Sequence, residues 1–166
     1  MHETMRRLKA RFTPSFIVIV LALTAPTVTH ASGPAVLSGM CEVAATPVAF
    51  GMYDPLRHKE AATVGMLRYR CSGTHKRLTI GLTTGESGSF RMRRMGRGSK
   101  AIVYNLYLDA AGTQVWGDGT GGSQAYIVNS PADGNEVSIP VYGRLFGDQN
   151  ASAGNYQDNV SVVVSY

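Results

Sequence analysis

The fold is indicated first by the stretch YQDNVSVVVSY, residues 156–166, with which the sequence ends. Val160, Val162, Val164 and Tyr166 recur at every second position of this stretch. Because successive side chains of a strand point to opposite faces, the spacing predicts a β-strand with one strongly apolar face. No later strand follows it in the sequence, so we expect an earlier strand or another molecule to pair with its edge.

The N-terminal residues have the pattern of an export signal. Four basic residues, the last of them Arg11, precede an apolar run at residues 16–23. A small-residue site ending at Ala31 follows, so we predict a signal peptide over residues 1–31. Cleavage after Ala25 is the alternative site. A membrane anchor is the alternative function, although the apolar run is short for a bilayer and breaks at Pro26.

Cleavage changes what the charge of the chain implies. The whole sequence has 16 Lys and Arg against 11 Asp and Glu. Residues 1–31 contain four of the basic residues and one of the acidic residues, so 12 and 10 remain, a net charge of +2. The high isoelectric point therefore belongs largely to the signal peptide and does not indicate nucleic-acid binding.

The sequence contains two cysteines, Cys41 and Cys71. An even number of cysteines in an exported chain predicts a disulfide, and two buried free thiols are the alternative. Closing a loop of about 30 residues should stabilise the fold by roughly 3–4 kcal/mol in the chain-entropy model.

Short alternating segments, separated by turn residues, recur through the rest of the chain. They lie at residues 43–50, 63–71, 78–83, 102–109, 114–116, 125–128 and 137–146, and Pro47 interrupts the first. No run suits a helix of useful length. This spacing predicts an all-β protein, an antiparallel β-sandwich forming one domain over residues 41–166.

A basic, glycine-broken segment lies between two of these predicted strands. We interpret it as a solvated loop, or as a contact patch for anionic polymers or surfaces. Its basic residues are Arg91, Arg93, Arg94, Arg97 and Lys100.

No combination of residues in the sequence indicates catalysis, a metal site or a cofactor. His58 and His75 are far apart, so we expect exposed loop histidines rather than a metal site or a proton relay. The glycine-rich residues 117–122 lack the lysine and the helix of a phosphate-binding loop, so we expect an interstrand loop. We expect Trp116 to pack in the core, with a surface contact as the alternative. The chain is therefore not predicted to be an enzyme.

Several motifs, in order along the chain, resemble the spore coat protein U domain, the family of archaic chaperone–usher pilus subunits. They are CEV at residues 41–43, FGMYDP at 50–55, RC at 70–71, YNLY at 104–107, WGDG at 116–119, VYGR at 141–144 and GNYQD at 154–158.

The resemblance implies an immunoglobulin-like antiparallel β-sandwich that is incomplete and is completed by a donor strand. It implies three partners: a periplasmic pilus chaperone, an outer-membrane usher and other pilus subunits. It implies no cofactor, no nucleic acid, and contact with a membrane only through the usher. The implied function is a secreted structural subunit of a cell-surface pilus, assembled by donor-strand exchange and supporting adhesion and biofilm formation.

The missing strand would leave an apolar groove, and the extension before the domain would donate a strand to the next subunit. We expect the groove edges at Val43, Val48, Val160, Val162, Val164 and Tyr166. The candidate donor residues in the extension, residues 32–40, are Val36, Leu37 and Met40. Ser38 interrupts their alternation and Pro34 removes a backbone donor, so this chain should accept a strand better than it donates one.

A different class of function is a tip adhesin or a standalone secreted binding module. Such a module would recognise a surface or a glycan through residues 91–100 and 117–122.

Overall fold

The computed structural model describes residues 8–10, 39–57 and 59–166. In this part of the chain, nine strands and two short 3₁₀ turns, Pro55–Arg57 and Gly85–Ser87, form the secondary structure. The strands are β1 (Leu8–Ala10), β2 (Met40–Ala45), β3 (Ala61–Ser72), β4 (Arg77–Leu82), β5 (Arg93–Arg97), β6 (Lys100–Tyr107), β7 (Tyr126–Asn129), β8 (Glu136–Leu145) and β9 (Val162–Ser165).

The strands form two antiparallel sheets. One sheet has the order β1-β9-β4-β7 and the other has the order β2-β3-β8-β6-β5. Side chains of both sheets, including Leu78 and Val164 of the first and Leu67 and Val141 of the second, belong to one buried cluster. The predicted all-β sandwich is therefore confirmed.

Side-chain alternation in β3 positions this core. Leu67, Tyr69 and Cys71 are buried, whereas Arg68 and Arg70 between them are exposed. This is the period of two that the sequence indicated, and it turns the apolar face of the strand toward the opposite sheet. The register of β3 against β8 places Leu67 opposite Ile139, which is also buried.

The prediction of a solvated loop at residues 91–100 is wrong. Residues 93–97 form β5, which pairs with β6 over five positions from Arg93↔Tyr104 to Arg97↔Lys100. Gly98, at φ +56°, supplies the left-handed conformation that the tight turn between the two strands requires. A strand and a tight hairpin turn therefore lie where we predicted a solvated loop.

Trp116 packs in the core as predicted. Its side chain is fully buried, and its indole Nε1–H donates to the carbonyl of Ile80 at 3.0 Å. The strand predicted around it is reduced to isolated bridges, Tyr107↔Val115 and Trp116↔Gln124.

Two predicted strands are shorter in the structure. The first ends at Ala45 rather than Phe50, because the chain turns away after the amide of Thr46 donates to Met66 O at 2.8 Å. The last begins at Val162 rather than Val160.

Among the described residues, no helix is long and apolar enough to cross a membrane.

Candidate functional site: a groove between the sheets

An apolar groove of about 430 Å³ opens between the two sheets, beside the N-terminal end of β9. One wall is the segment from Ala45 to Phe50 after β2, and the other is the segment from Tyr156 to Val160 with Val162. Core side chains form the floor between them: Leu67, Leu82, Met95, Tyr104, Leu106 and Val141.

The two walls are segments in which regular pairing stops. After β2 the chain contains Pro47, which has no amide hydrogen to give to a ladder. On the other side, residues 156–160 precede β9 and are tied to the second sheet by a bridge between Gly96 and Gln157. Side chains from both sheets therefore reach the groove without a strand lying across it in this part of the molecule.

The edge of β9 that does not pair with β4 is occupied by β1. The backbone of Leu8–Ala10 runs antiparallel to β9, with Leu8 opposite Val164 and Ala10 opposite Val162. The opposite edge of β9 pairs with β4 over four positions. This edge of β9 therefore pairs with an antiparallel strand, which lies within the predicted signal peptide.

The predicted groove residues divide into those that line the groove and those that lie beside it. Val48, Val160 and Val162 line it. Val43, in β2, packs on the core, and Val164 pairs with Ile80 and with β1. Tyr166 is exposed by 38% and contacts the ring of His75, away from the groove.

Of the candidate donor residues, only Met40 lies in the described part of the chain. Met40 is the first residue of β2, where it pairs with Ser72, and its side chain is exposed by 58%. It is therefore part of the sheet of its own domain. Val36 and Leu37 lie outside the described residues.

The floor residues of the groove were not identified from the sequence. Tyr104, Leu106 and Val141 lie in strands that were predicted, on faces that were predicted to be apolar. Their alternation places them in a core but does not say which part of the core is open. Phe50, which the sequence predicts as the end of a strand, lines the groove and packs edge-to-face on Tyr104 with ring centroids 5.7 Å apart.

A partly buried hydrogen bond anchors the wall that precedes β9. The Tyr104 hydroxyl donates to Asp158 Oδ2 at 2.7 Å, and the amides of Glu86 and Asn159 donate to Asp158 Oδ1 at 2.9 and 2.8 Å. Burial, followed by the hydrogen bond to Asp158, raises the pKa of Tyr104 far above its usual range, so the phenol stays neutral and remains a donor. The carboxylate thus joins β6, the 3₁₀ turn and the groove wall.

Arg93 cannot be a surface contact, because its side chain is completely buried. Its guanidinium donates to Asn105 Oδ1 at 2.7 Å, to Trp116 O at 2.7 Å, and to Thr83 O through two nitrogens at 3.1 and 2.9 Å. The ring of Phe90 lies 5.4 Å from the guanidinium carbon. Burial lowers the pKa of Arg93, an effect that the surrounding phenols and Asp158 oppose. The hydrogen bonds of the guanidinium link three segments of the fold to β5.

The other predicted contact residues do reach the surface where their side chains are described. Arg91, Arg94 and Lys100 are exposed, and of Arg97 the structure describes only the backbone, in β5. The structure therefore removes Arg93 from the predicted contact patch and shows three of the other side chains at the surface. The glycine-rich loop is closed on itself, since Asp118 accepts from the amide and the hydroxyl of Thr120 at 2.9 and 2.7 Å.

The predicted disulfide is present, and it lies next to a histidine. Cys41 and Cys71 are bonded, with an S–S distance of 2.09 Å, across the β2–β3 ladder. The expectation of an exposed loop histidine is wrong for His75, which is half-buried and has one ring nitrogen close to both sulfur atoms. His58 lies outside the described residues. The disulfide cysteines and His75 are the one group of potential metal ligands found in the described part of the chain.

Comparison with known proteins gives matches over most of the chain. The family described as Spore Coat Protein U domain matches residues 25–163. Protein U of Myxococcus xanthus is 26% identical over 129 residues, covering 70% of each chain.

Among solved structures, a chain of the CsuC–CsuE chaperone–tip adhesion subunit pre-assembly complex, from archaic chaperone–usher Csu pili of Acinetobacter baumannii, is similar with a TM-score of 0.54. It is 20% identical, and the match covers 77% of the present chain and 40% of that chain. At this identity the likeness supports the fold alone.

Proposed function

Because the chain belongs to the Spore Coat Protein U domain family, we propose that it is a secreted structural subunit of a chaperone–usher pilus. In this proposal the subunits join by donor-strand exchange. The observation that carries it is the groove of about 430 Å³ beside β9, together with the β9 edge on which an added antiparallel strand already lies. The similar solved structure is described as a complex of a chaperone with a pilus subunit, which supports the proposal of a chaperone-assembled subunit.

The free edge of β9 requires a strand of a definite pattern. Val162 and Val164 are buried in the core, so the residues of an incoming strand that pair with them would also face the core. The residue that pairs with Val163 would face outward. A donor with apolar residues at alternate positions would therefore bury them, each contributing about 1.5–3 kcal/mol, while its backbone pairs with β9.

Removal of the predicted signal peptide would empty this edge. β1 lies within residues 1–31, so the exported chain would present both an unpaired edge and an open apolar groove. A periplasmic chaperone would cover this edge during export, and an usher would pass the subunit on. The extension of another subunit would then displace the chaperone. Because each contact joins different surfaces of two subunits, the product is a filament at the cell surface, where it would support adhesion and biofilm formation.

The segment before β2 is poorly suited to act as a donor strand. Since Met40 belongs to β2, only residues 32–39 remain to leave the domain, about 26 Å when fully extended. That segment contains Pro34 and Ser38, which limit its pairing and its alternation. We place the subunit at the end of a fibre, where it accepts a strand and does not need to donate one.

The central test measures whether the groove must be filled. We would export the protein with and without a chaperone of the pilus type, and titrate the subunit with a nine-residue peptide of alternating valine and threonine. The proposal predicts low soluble yield alone, a one-to-one complex with the chaperone, and a higher urea midpoint with the peptide. A stable monomer whose unfolding the peptide leaves unchanged would refute it.

A pair of matched variants locates peptide binding. Val48 lines the groove, whereas Val64 is 56% exposed in β3. Val48→Asp places an unpaired carboxylate where the donor strand packs, so we expect at least about tenfold weaker peptide binding. Val64→Asp, the same change outside the groove, should leave the affinity unchanged. Equal effects of the two substitutions would place the peptide elsewhere.

A tip adhesin is the second candidate, favoured by exposed apolar side chains at one turn. Met52 is fully exposed and precedes the 3₁₀ turn Pro55–Arg57, and Leu56 within the turn is exposed by 84%. The similar solved structure is described as a complex of a chaperone with a tip adhesion subunit. If this candidate is correct, Met52→Ser with Leu56→Ser should reduce adhesion of piliated cells to an apolar surface without reducing the number of pili. Unchanged adhesion at equal piliation would exclude that role for this turn.

A further inference from the structure

A cluster of three potential metal ligands lies at the end of the sandwich where β2 begins and β3 ends. The Sγ atoms of Cys41 and Cys71 and one ring nitrogen of His75 all lie within 4.8 Å of one another. Cys41 and Cys71 face each other in the β2–β3 ladder, and His75 follows the tight turn after β3. The cluster is distinct from the groove and is independent of strand exchange.

The position of the imidazole is closely determined by its neighbours. A Cβ atom on Gly39 would clash with His75 Nε2 and would lie 2.6 Å from the carbonyl oxygen of Ser72, so only glycine leaves room for the ring. His75 Nε2 lies 3.0 Å from Ser72 O, and the ring of Tyr166 packs edge-on with centroids 5.0 Å apart. Metal-binding histidines are oriented in the same way, by donating one ring N–H to a carbonyl group.

We propose that the reduced, newly exported chain binds one Zn²⁺ through Cys41, Cys71 and His75, and that formation of the disulfide releases it. A tetrahedral zinc ion with Zn–S distances near 2.3 Å and Zn–N distances near 2.0–2.1 Å holds its ligand atoms about 3.5–3.8 Å apart. In the structure the two sulfur atoms are bonded to each other, so reduction would have to let them separate to this spacing, and the ring nitrogen of His75 already lies within 4.8 Å of both. Water takes the fourth position.

The charges and electrons balance in both steps. Binding converts two thiols to thiolates and releases two protons, and the two thiolates neutralise the Zn²⁺ charge. A disulfide oxidant, such as an oxidised dithiol protein, then takes two electrons from the two thiolates. With two protons it leaves as two thiols, the Cys41–Cys71 bond forms, and Zn²⁺ is freed.

The zinc ion would hold the same two strands that the disulfide holds later. β2 and β3 would then be linked from the time of export, and the thiolates would be shielded from premature oxidation or mispairing. Excess zinc would slow oxidation of the subunit, because the attacking thiolate would be metal-bound.

The experiment uses the exported protein, reduced with a phosphine and titrated with Zn²⁺ in the presence of a chromophoric chelator. We expect one equivalent to bind, and none to bind to the oxidised protein. Co²⁺ in place of Zn²⁺ should give the intense near-ultraviolet band of thiolate-to-metal charge transfer. Absence of stoichiometric binding to the reduced protein would overturn the proposal.

The role of His75 is tested by His75→Gln, with His58→Gln as the matched control. Loss of an outer partner of a ligand commonly weakens a metal site about 10–100-fold, so loss of His75 itself should weaken binding at least about tenfold. His58→Gln should bind as the wild type does. Equal zinc affinity of the His75 variant and the wild type would overturn the three-ligand site.

A second measurement needs no variant and covers the case in which His75→Gln fails to fold. Zn²⁺ should protect His75 of the reduced wild-type protein from acylation by diethyl pyrocarbonate, and protect both cysteines from alkylation. Protection of the cysteines without protection of His75 would likewise overturn the site.

Discussion

Replacing Arg93 by methionine should destabilise the domain strongly, because the guanidinium is buried and joins three segments. Methionine fills a similar volume but leaves the carbonyls of Thr83 and Trp116 without the donor they have at 2.7–3.1 Å. Asn105 Oδ1 also loses the guanidinium but keeps the amide of Leu106 at 3.0 Å. Each orphaned buried carbonyl costs about 1–3 kcal/mol, and removal of the buried charge recovers part of that sum, so the net loss should be about 2–4 kcal/mol.

The assay is urea unfolding of the protein bound to a donor peptide, so that the groove is filled in every sample. With a slope of about 2 kcal/mol per M, the midpoint should fall by about 1–2 M. Arg94→Met is the matched control. Arg94 is the next residue of β5 but is exposed, so its substitution should change stability by less than about 0.5 kcal/mol.

A loss below about 1 kcal/mol for Arg93→Met would refute the reasoning. It would mean that the two carbonyls find other donors, or that the segments do not depend on the guanidinium. A loss for Arg94→Met equal to that for Arg93→Met would assign the effect to β5 as a whole rather than to the buried charge.

Three further predictions concern other buried groups. Cys41→Ser with Cys71→Ser removes a link that spans 30 residues and should lower the free energy of unfolding by roughly 3–4 kcal/mol, seen as a lower urea midpoint of the oxidised protein. Tyr104 has a raised pKa in the folded state, so its contribution is present below about pH 10, the unfolded value, and is lost as the pH rises above it. Tyr104→Phe should therefore flatten the alkaline decline in stability, and an equally steep decline would contradict this. Trp116→Phe should cost roughly 2–4 kcal/mol through lost volume and the lost hydrogen bond to Ile80 O, and a thermal midpoint like that of the wild type would contradict it.

The strands that could be predicted are those whose burial follows from their own alternation. β3, β4, β6 and β8 each present apolar residues at every second position, and these residues are buried in the structure. Such a strand needs only an apolar layer beside it, whatever its partner is. Composition and periodicity therefore identify the strand without knowledge of the sheet.

β5 could not be predicted for the opposite reason. Its sequence, RRMGR, is basic and contains glycine, both of which are typical of loops. It becomes a strand because β6 offers an edge and because buried oxygen atoms of three separate segments receive the guanidinium of Arg93. Those acceptors come together only in the folded chain, so nothing local marks Arg93 as a core residue.

The candidate site was likewise predictable only in part. Val160 and Val162 were placed at the groove from the terminal alternation, but Tyr166 contacts His75 instead. His75 follows Cys71 closely in the sequence, but Cys41 lies 34 positions before it. The contact of His75 with both sulfur atoms depends on the β2–β3 register and on the close approach of Gly39. The contact with Cys41 therefore could not be predicted from spacing along the chain.

By itself the sequence determined the fold class, the disulfide and the apolar strand near residue 166, because period-two alternation and a pair of cysteines act through local chemistry. Only the tertiary structure decided where the sandwich is open, that Arg93 is buried, and that His75 lies against the Cys41–Cys71 bond. Each of these depends on which strands become neighbours. Strand neighbours are determined by register and packing over the whole chain, so no single segment predicts them.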